Sequence, residues 1–211
     1  MNAEPAIRTY KVNDIFYSLQ GEGRNTGKAA VFVRFAGCNL RCPFCDTDFD
    51  AFRLMTARDI VADIRKESPT AEGTLPIVVL TGGEPTLQAD EALTGLLHQA
   101  GYTVAMESNG TLPPPKGIDW LTISPKDWSR DFSHYHCDEL KIVFDEETPR
   151  RLAGHEPFSA HGGNGPLLYL QPCDTGDPER NKRITAACVA YIKQHPKWRL
   201  SLQIHKLIGI D

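Results

Sequence analysis

Three cysteines fall within eight residues in Cys38-Asn-Leu-Arg-Cys42-Pro-Phe-Cys45, a C-x₃-C-x₂-C run. Thiolates at such spacing can wrap one compact metal centre. A closed structural zinc site takes four ligands, and a plant-type [2Fe–2S] centre takes a different spacing and a fourth cysteine. On a four-iron cluster, three thiolates leave one iron without a protein ligand. An open coordination position is where a metal site can hold a reactant. The competing readings are a chance cluster or a zinc knuckle completed from afar by His134, His136 or Cys137. No spaced partner pair completes that second group, which reads more simply as a polar loop.

The elements that must carry the motif follow from apolar patterning. Residues 30–35 read as a strand, 56–67 as a helix with Thr56 as its N-cap, and 77–81 as a β-branched run of the kind covered on both faces. Leu93, Leu96, Leu97 and Ala100 repeat at helical spacing, as do Ile184, Ala187, Cys188, Tyr191 and Ile192. Further strands are expected over residues 103–107, 120–124, 140–144, 167–171 and 199–205. Such alternation predicts an α/β fold with a mainly parallel sheet, and periodicity leaves open whether the sheet closes into a barrel. Gly37-Cys38, Gly82-Gly83-Glu84, Glu107-Ser108-Asn109, Ser124-Pro125-Lys126 and Gln171-Pro172-Cys173-Asp174 each follow a predicted strand. That is the edge where α/β sheets bind ligands, although loops are polar anyway.

The chain has 211 residues, a net charge of −4, 41% apolar and 24% charged residues. No repeat, linker or low-complexity tract divides it, so residues 1–211 are expected to form one domain. A mildly acidic chain without a basic run offers no footprint for nucleic acid. No apolar stretch approaches the roughly 18 residues of a spanning helix, and the N-terminus lacks a signal peptide's apolar core. A cytoplasmic, reducing location is expected, where six cysteines are poor disulfide candidates. Cys188 on its helical stripe reads as core, while Cys137 and Cys173 stay ambiguous.

The cysteine spacing, with Phe44 before the last thiol and the Gly82-Gly83-Glu84-Pro85 segment, resembles the radical S-adenosylmethionine (SAM) superfamily. The resemblance implies a partial TIM-like barrel and a [4Fe–4S] cluster whose open iron is chelated by the methionine end of SAM. An electron from the cluster would then release a 5′-deoxyadenosyl radical. Phe16-Tyr-Ser-Leu-Gln-Gly-Glu-Gly23, Arg34, Cys45-Asp46-Thr47 and Gln203-Ile-His205-Lys206 carry a closer resemblance, to the 7-carboxy-7-deazaguanine synthase family of the queuosine pathway, across almost the whole chain.

That resemblance implies ring contraction of 6-carboxy-5,6,7,8-tetrahydropterin with loss of ammonia, a Mg²⁺ ion on Thr47, a homodimer, and a flavodoxin- or ferredoxin-type reductant. It places substrate on Leu19, Gln20, Gly21, Glu22, Arg34, Thr81, His205 and the chain end Asp211. It places SAM on Phe44, Asp46, Gly83, Glu84 and Ser108, and on the segments Ser124-Pro125-Lys126 and Gln171-Pro172-Cys173-Asp174. Each residue also has a plainer reading. Gly-Gly-Glu-Pro and Thr47 would serve as turns, Glu22 as a solvated loop carboxylate, Thr81 as an ordinary strand residue, and the polar strand ends as caps. Arg34 alternates with Val33 and Phe35 on its strand, and an inward cation is costly unless paired. A bidentate substrate carboxylate would pair it, as would a salt bridge to Glu22 or Glu107.

Two other functions fit the triad alone. A small activase that makes a glycyl radical on a partner protein shares the spacing and length, but needs no inward Arg34, Mg²⁺ ligand or Leu-Gln-Gly-Glu-Gly segment. An electron carrier or zinc module would be no enzyme, and metal content separates them.

Overall fold

The computed structural model describes residues 7–43, 45, 51–68, 73–128, 136–153 and 165–210. Phe44, Asp46, Thr47, His134 and Asp211 lie outside them. In chain order the elements are β1 (Thr9–Leu19), β2 (Ala29–Phe35), β3 (Arg53–Thr56), α1 (Ala57–Glu67), β4 (Ile77–Gly82), α2 (Glu91–Gln99), β5 (Val104–Ser108), β6 (Trp120–Ile123), β7 (Glu139–Phe144), α3 (Thr148–Ala153), β8 (Leu167–Pro172), α4 (Pro178–Gln194), β9 (Trp198–Leu200) and α5 (Ile204–Ile208). The strands form one sheet in the order β3-β1-β2-β4-β5-β6-β7-β8-β9. From β2 to β9 every neighbouring pair is parallel. β1 runs antiparallel to β2 and β3. The expected partial barrel of mainly parallel strands is what forms, with β3 and β9 as its edges.

Strand alternation explains how this sheet presents a site. Val31, Val33 and Phe35 of β2, Val78 and Leu80 of β4, and Val104 and Met106 of β5 are buried in one large cluster. Ile60 and Ile64 of α1, Leu93 and Leu97 of α2, and Ile184 and Cys188 of α4 belong to the same cluster, so Cys188 is core. The other face is narrow: Ala30, Val79 and Ala105 pack there with Phe32, Ile77 and Trp120. Successive side chains point to opposite faces, so Arg34, Thr81 and Glu107 continue that second face toward the strand ends. Small residues fill its base and polar ones its mouth.

Four elements depart from the expected pattern. No strand was expected ahead of residue 30, yet β1 is an eleven-residue strand. Its register shifts between Val12 and Asp14, so the buried positions pass from Tyr10 and Val12 to Ile15 and the alternation is masked. β3 and α3, short and amphipathic over too few residues to show a period, were not anticipated. The final strand expected over 199–205 stops at Leu200, and the chain turns into α5.

Helix α1 begins as expected. The Thr56 hydroxyl accepts from Asp59 N at 3.2 Å while the Asp59 carboxylate accepts from Thr56 N at 2.9 Å, a reciprocal capping box. Thr56→Ala should cost about 1 kcal/mol, read as a fall of about 2–4 °C in the apoprotein's thermal midpoint, with cofactor binding unchanged.

Candidate active site

The cysteine loop leaves β2 through Gly37, whose φ of 87° is in the left-handed region. It is fastened to the end of β4 by two backbone bonds, Gly83 N to Phe35 O (2.8 Å) and Glu84 N to Gly37 O (3.0 Å). The Glu84 carboxylate, fully buried, accepts from Thr86 N, Thr86 Oγ1, Ser108 Oγ and Asn109 N at 2.6–3.0 Å. Asn109 in turn donates through Nδ2 to Asn39 Oδ1 at 3.0 Å, and Asn39 donates to Thr111 Oγ1 at 2.7 Å. One buried carboxylate thereby ties the ends of β4 and β5 to the residue that follows Cys38.

Two residues expected to meet SAM also have partners within the protein. Glu84 was expected to meet SAM, but its side chain is spent on this scaffold and is absent from the cavity wall. Gly83 does line the cavity, yet what its missing side chain admits is protein. A Cβ there would lie 1.9 Å from Gly37 O.

Cys38, Cys42 and Cys45 are free thiols that open onto one cavity of about 300 Å³. Burial pushes the Cys42 thiol up, with Lys126 nearby working the other way. In type and placement the donors fit an iron–sulfur cluster: three thiols on one loop at a cavity wall. Among the described residues, no three His, Cys, Asp or Glu side chains are already gathered as a metal site. Cys137 packs against the core instead, and burial raises its thiol to about 12.

The same cavity collects the other strand ends. Ser108, Ser124, Lys126, Gln171, Pro172, Cys173 and Asp174 line it; Pro125 does not. Lys126 donates to Ser124 Oγ, and burial, with Lys141 nearby, brings its ammonium down to about 8 against the pull of Glu22. Asp174 accepts from Lys206 Nζ (2.9 Å), Gly176 N (3.0 Å) and Asn181 Nδ2 (2.8 Å), which hold its carboxyl at about 2.

Leu19, Gln20, Gly21 and Glu22 also line the cavity. Because β1 opposes β2, they approach from the other edge of the sheet. Gln20 is buried and donates to Glu107 Oε1 at 3.0 Å. Glu22 accepts from Lys141 Nζ and, at 3.0 Å, from Gln203 Nε2. The Lys141 ammonium also lies 3.6 Å from Glu107. Arg34 and Thr81 sit side by side in register on the wall. The Arg34 guanidinium lies 5.5 Å from the centre of the Phe16 ring, which stacks on Phe32 at 5.0 Å. The cation paired with Glu22 and Glu107 is therefore Lys141.

The segment before and into α5 is fastened to the loop that follows β1. Ile204 N donates to Gly21 O at 3.1 Å, and Gly23 N to Ser201 Oγ at 3.0 Å. Gly21 leaves room for the His205 ring: a Cβ there would stand 2.2 Å from Nδ1. Lys141, Phe16, Phe32 and Asn39 were not singled out from the sequence. Lys141 carried the signal that exposed Arg34, a cation on a strand between buried apolar residues.

Residues 32–165 match the model of the radical SAM superfamily. The chain is 46% identical over 200 residues to 7-carboxy-7-deazaguanine synthase of Bacteroides thetaiotaomicron, covering 95% of this chain and 98% of that protein. It is 42% identical to the synthase of Caulobacter vibrioides, over 96% and 99% of the two chains. The crystal structure of QueE from Escherichia coli superposes with a TM-score of 0.72 at 26% identity, covering 92% of this chain and 93% of that one. A barrel mouth lined by three free thiols, and similarity at this level over nearly the full length, lead to one assignment: the chain is a radical SAM enzyme and belongs to the 7-carboxy-7-deazaguanine synthase family.

Proposed function

We propose that this protein converts 6-carboxy-5,6,7,8-tetrahydropterin into 7-carboxy-7-deazaguanine and ammonia, feeding queuosine or a related deazapurine. The carrying observation is that the cavity lined by the three thiols also holds one inward arginine over an aromatic pair, facing a set of amide and carboxylate acceptors. Superfamily membership implies a [4Fe–4S] cluster and SAM. Cys38, Cys42 and Cys45 would hold the cluster, which with SAM would supply the radical chemistry.

The chain's own residues bind, orient and enclose. Arg34 suits the substrate carboxylate, because a guanidinium fork matches it bidentately. Phe16 and Phe32 give the ring system an apolar wall. Gln20 and Glu22 suit the pterin's amide and amino edge, offering a carbonyl and a carboxylate beside each other. Thr81 adds a hydroxyl next to Arg34. Ser108, Ser124, Lys126, Gln171 and Asp174 form the polar rim on the SAM side. His205 and the turn before it shield the side near Gly21 from water. The proposal includes Mg²⁺ held by the Thr47 hydroxyl with substrate oxygens and water, since Mg²⁺ needs few protein ligands. It further includes one domain over residues 1–211, a homodimer, a cytoplasmic location and a flavodoxin- or ferredoxin-type reductant.

Anaerobic incubation of reconstituted protein with the pterin, SAM, dithionite and Mg²⁺ tests the reading. A deazapurine carboxylate with one ammonia per turnover is expected, and leaving out Mg²⁺ should slow it. No deazapurine, with 5′-deoxyadenosine appearing only when a partner protein is added, would instead identify an activase.

A further inference from the structure

We infer that Lys141 is a positioning residue of the substrate site: its ammonium, held between Glu22 and Glu107, sets the two carboxylates as a joint acceptor for the amide and amino edge of the bound ring. The inference rests on the pterin reading above and deepens it.

The observation is a continuous chain of side chains across four parts of the fold. Gln20 at the end of β1 donates to Glu107 on β5, Glu107 lies against Lys141 on β7, Lys141 donates to Glu22, and Glu22 accepts from Gln203 ahead of α5. The Lys141 side chain is 5% exposed and lines the cavity. It therefore borders the reactant without offering its charge to bulk water. The groups facing it are Glu22 from the β1 loop, Glu107 from β5, Glu139 two residues before it, and Lys126 after β6, with His205 of α5 facing Glu22.

The electrostatic balance shows what the cation does. Burial alone would drive Lys141 toward its neutral form, but Glu107 and Glu22 outweigh burial and hold it above the ordinary lysine range. Burial alone would likewise push Glu22 up, and the ammonium pulls it below the usual carboxylate range. Two carboxylates sharing a site without a cation cannot both stay charged, and one takes up a proton. A protonated carboxyl becomes a donor and would oppose the N–H groups of the substrate edge.

Stability alone does not explain this arrangement, since well-packed apolar residues generally match a buried ion pair. The acceptors are also not used up. A carboxylate has about four acceptor positions, whereas Glu22 takes one donor on each oxygen and Glu107 takes a hydrogen bond only on Oε1 among the described residues. What remains faces the cavity.

The test uses reconstituted holoenzyme and the variants Lys141→Met, Lys141→Gln and Lys141→Arg, compared by KM for the pterin, SAM affinity, iron content and thermal midpoint. Both neutral variants should raise KM at least about tenfold, with SAM affinity and iron content within about twofold of wild type. Lys141→Arg, which keeps the charge, should bring KM back to within about fivefold. A merely structural lysine would lower the folded fraction, and hence apparent kcat, and leave KM where it was. KM within twofold of wild type in either neutral variant overturns the inference. If Lys141→Met does not fold, Lys141→Gln, which still donates a hydrogen bond, decides. Wild-type protein that makes no deazapurine would refute the pterin reading itself, a result separable from a wild type that turns over and a Lys141→Gln variant with unchanged KM.

Discussion

Cys42→Ala should reduce iron in anaerobically reconstituted protein from about four per chain to near zero, with turnover falling to background. The reasoning is about number and place. Three thiols on a four-iron cluster leave one iron open, and none of Cys137, Cys173 and Cys188 belongs to the eight-residue run that carries the triad. Cys137 packs against the core, Cys188 is fully buried on α4, and Cys173 follows β8, lining the same cavity while packing partly against the core. The apoprotein itself should barely notice, because Cys42 is only part-buried on a loop and such substitutions usually stay within about 0.5 kcal/mol. Wild type should gain thermal stability on reconstitution, since a group that binds only the folded state stabilises it; the variant should gain none. Cys188→Ala is the opposite control: it should lose about 1 kcal/mol from the core and keep its iron. Wild-type iron content in Cys42→Ala would overturn the ligand assignment.

The parallel strands were legible because burial on both faces leaves runs such as Ile77-Val-Val-Leu80, and the polar residues after them marked the ligand edge. β1 was not legible, because a bulge moves its buried positions out of step. The site divides in the same way. Arg34, near a strand end, stood out from alternation, whereas Thr81 was marked only by the family resemblance. Residues whose meaning is a partnership did not stand out: nothing in the sequence says that Lys141 reaches Glu22, 119 positions away. Glu84 shows the converse case. A carboxylate beside two glycines looks available to a ligand, but four donors from three residues converge on it. The spacing of one motif carries no information about which loops it must hold together.

Gly83→Ala puts that last point to a quantitative test. Gly83 is not in the left-handed region, so the substitution brings no φ strain and its effect is steric. The new Cβ would stand 1.9 Å from Gly37 O, 2.5 Å from Gly37 C and 3.2 Å from Cys38 N. All three are backbone atoms, which cannot rotate aside as a side chain can. Either β4 or the cysteine loop must move, and the bonds from Gly83 N to Phe35 O and from Glu84 N to Gly37 O lie across the same gap. Overpacking costs about 1–3 kcal/mol and each weakened hydrogen bond about 0.5–1.5 kcal/mol, so the loss should be about 3 kcal/mol. For a chain of this size that is a fall of about 6–12 °C in the apoprotein's thermal midpoint. Iron retention should fall with it, because the displaced atoms include the backbone nitrogen of Cys38 itself. Gly95→Ala calibrates the measurement. Gly95 lies within α2 with no atom within 4 Å of a built Cβ, so it should gain about 0.5–1 kcal/mol from helix propensity alone. If Gly83→Ala instead shifts the midpoint by less than about 2 °C and keeps its iron, the contact between β4 and the cysteine loop is not what holds the thiols at the cavity. If stability falls as expected, this glycine serves the cluster by admitting the loop that carries it.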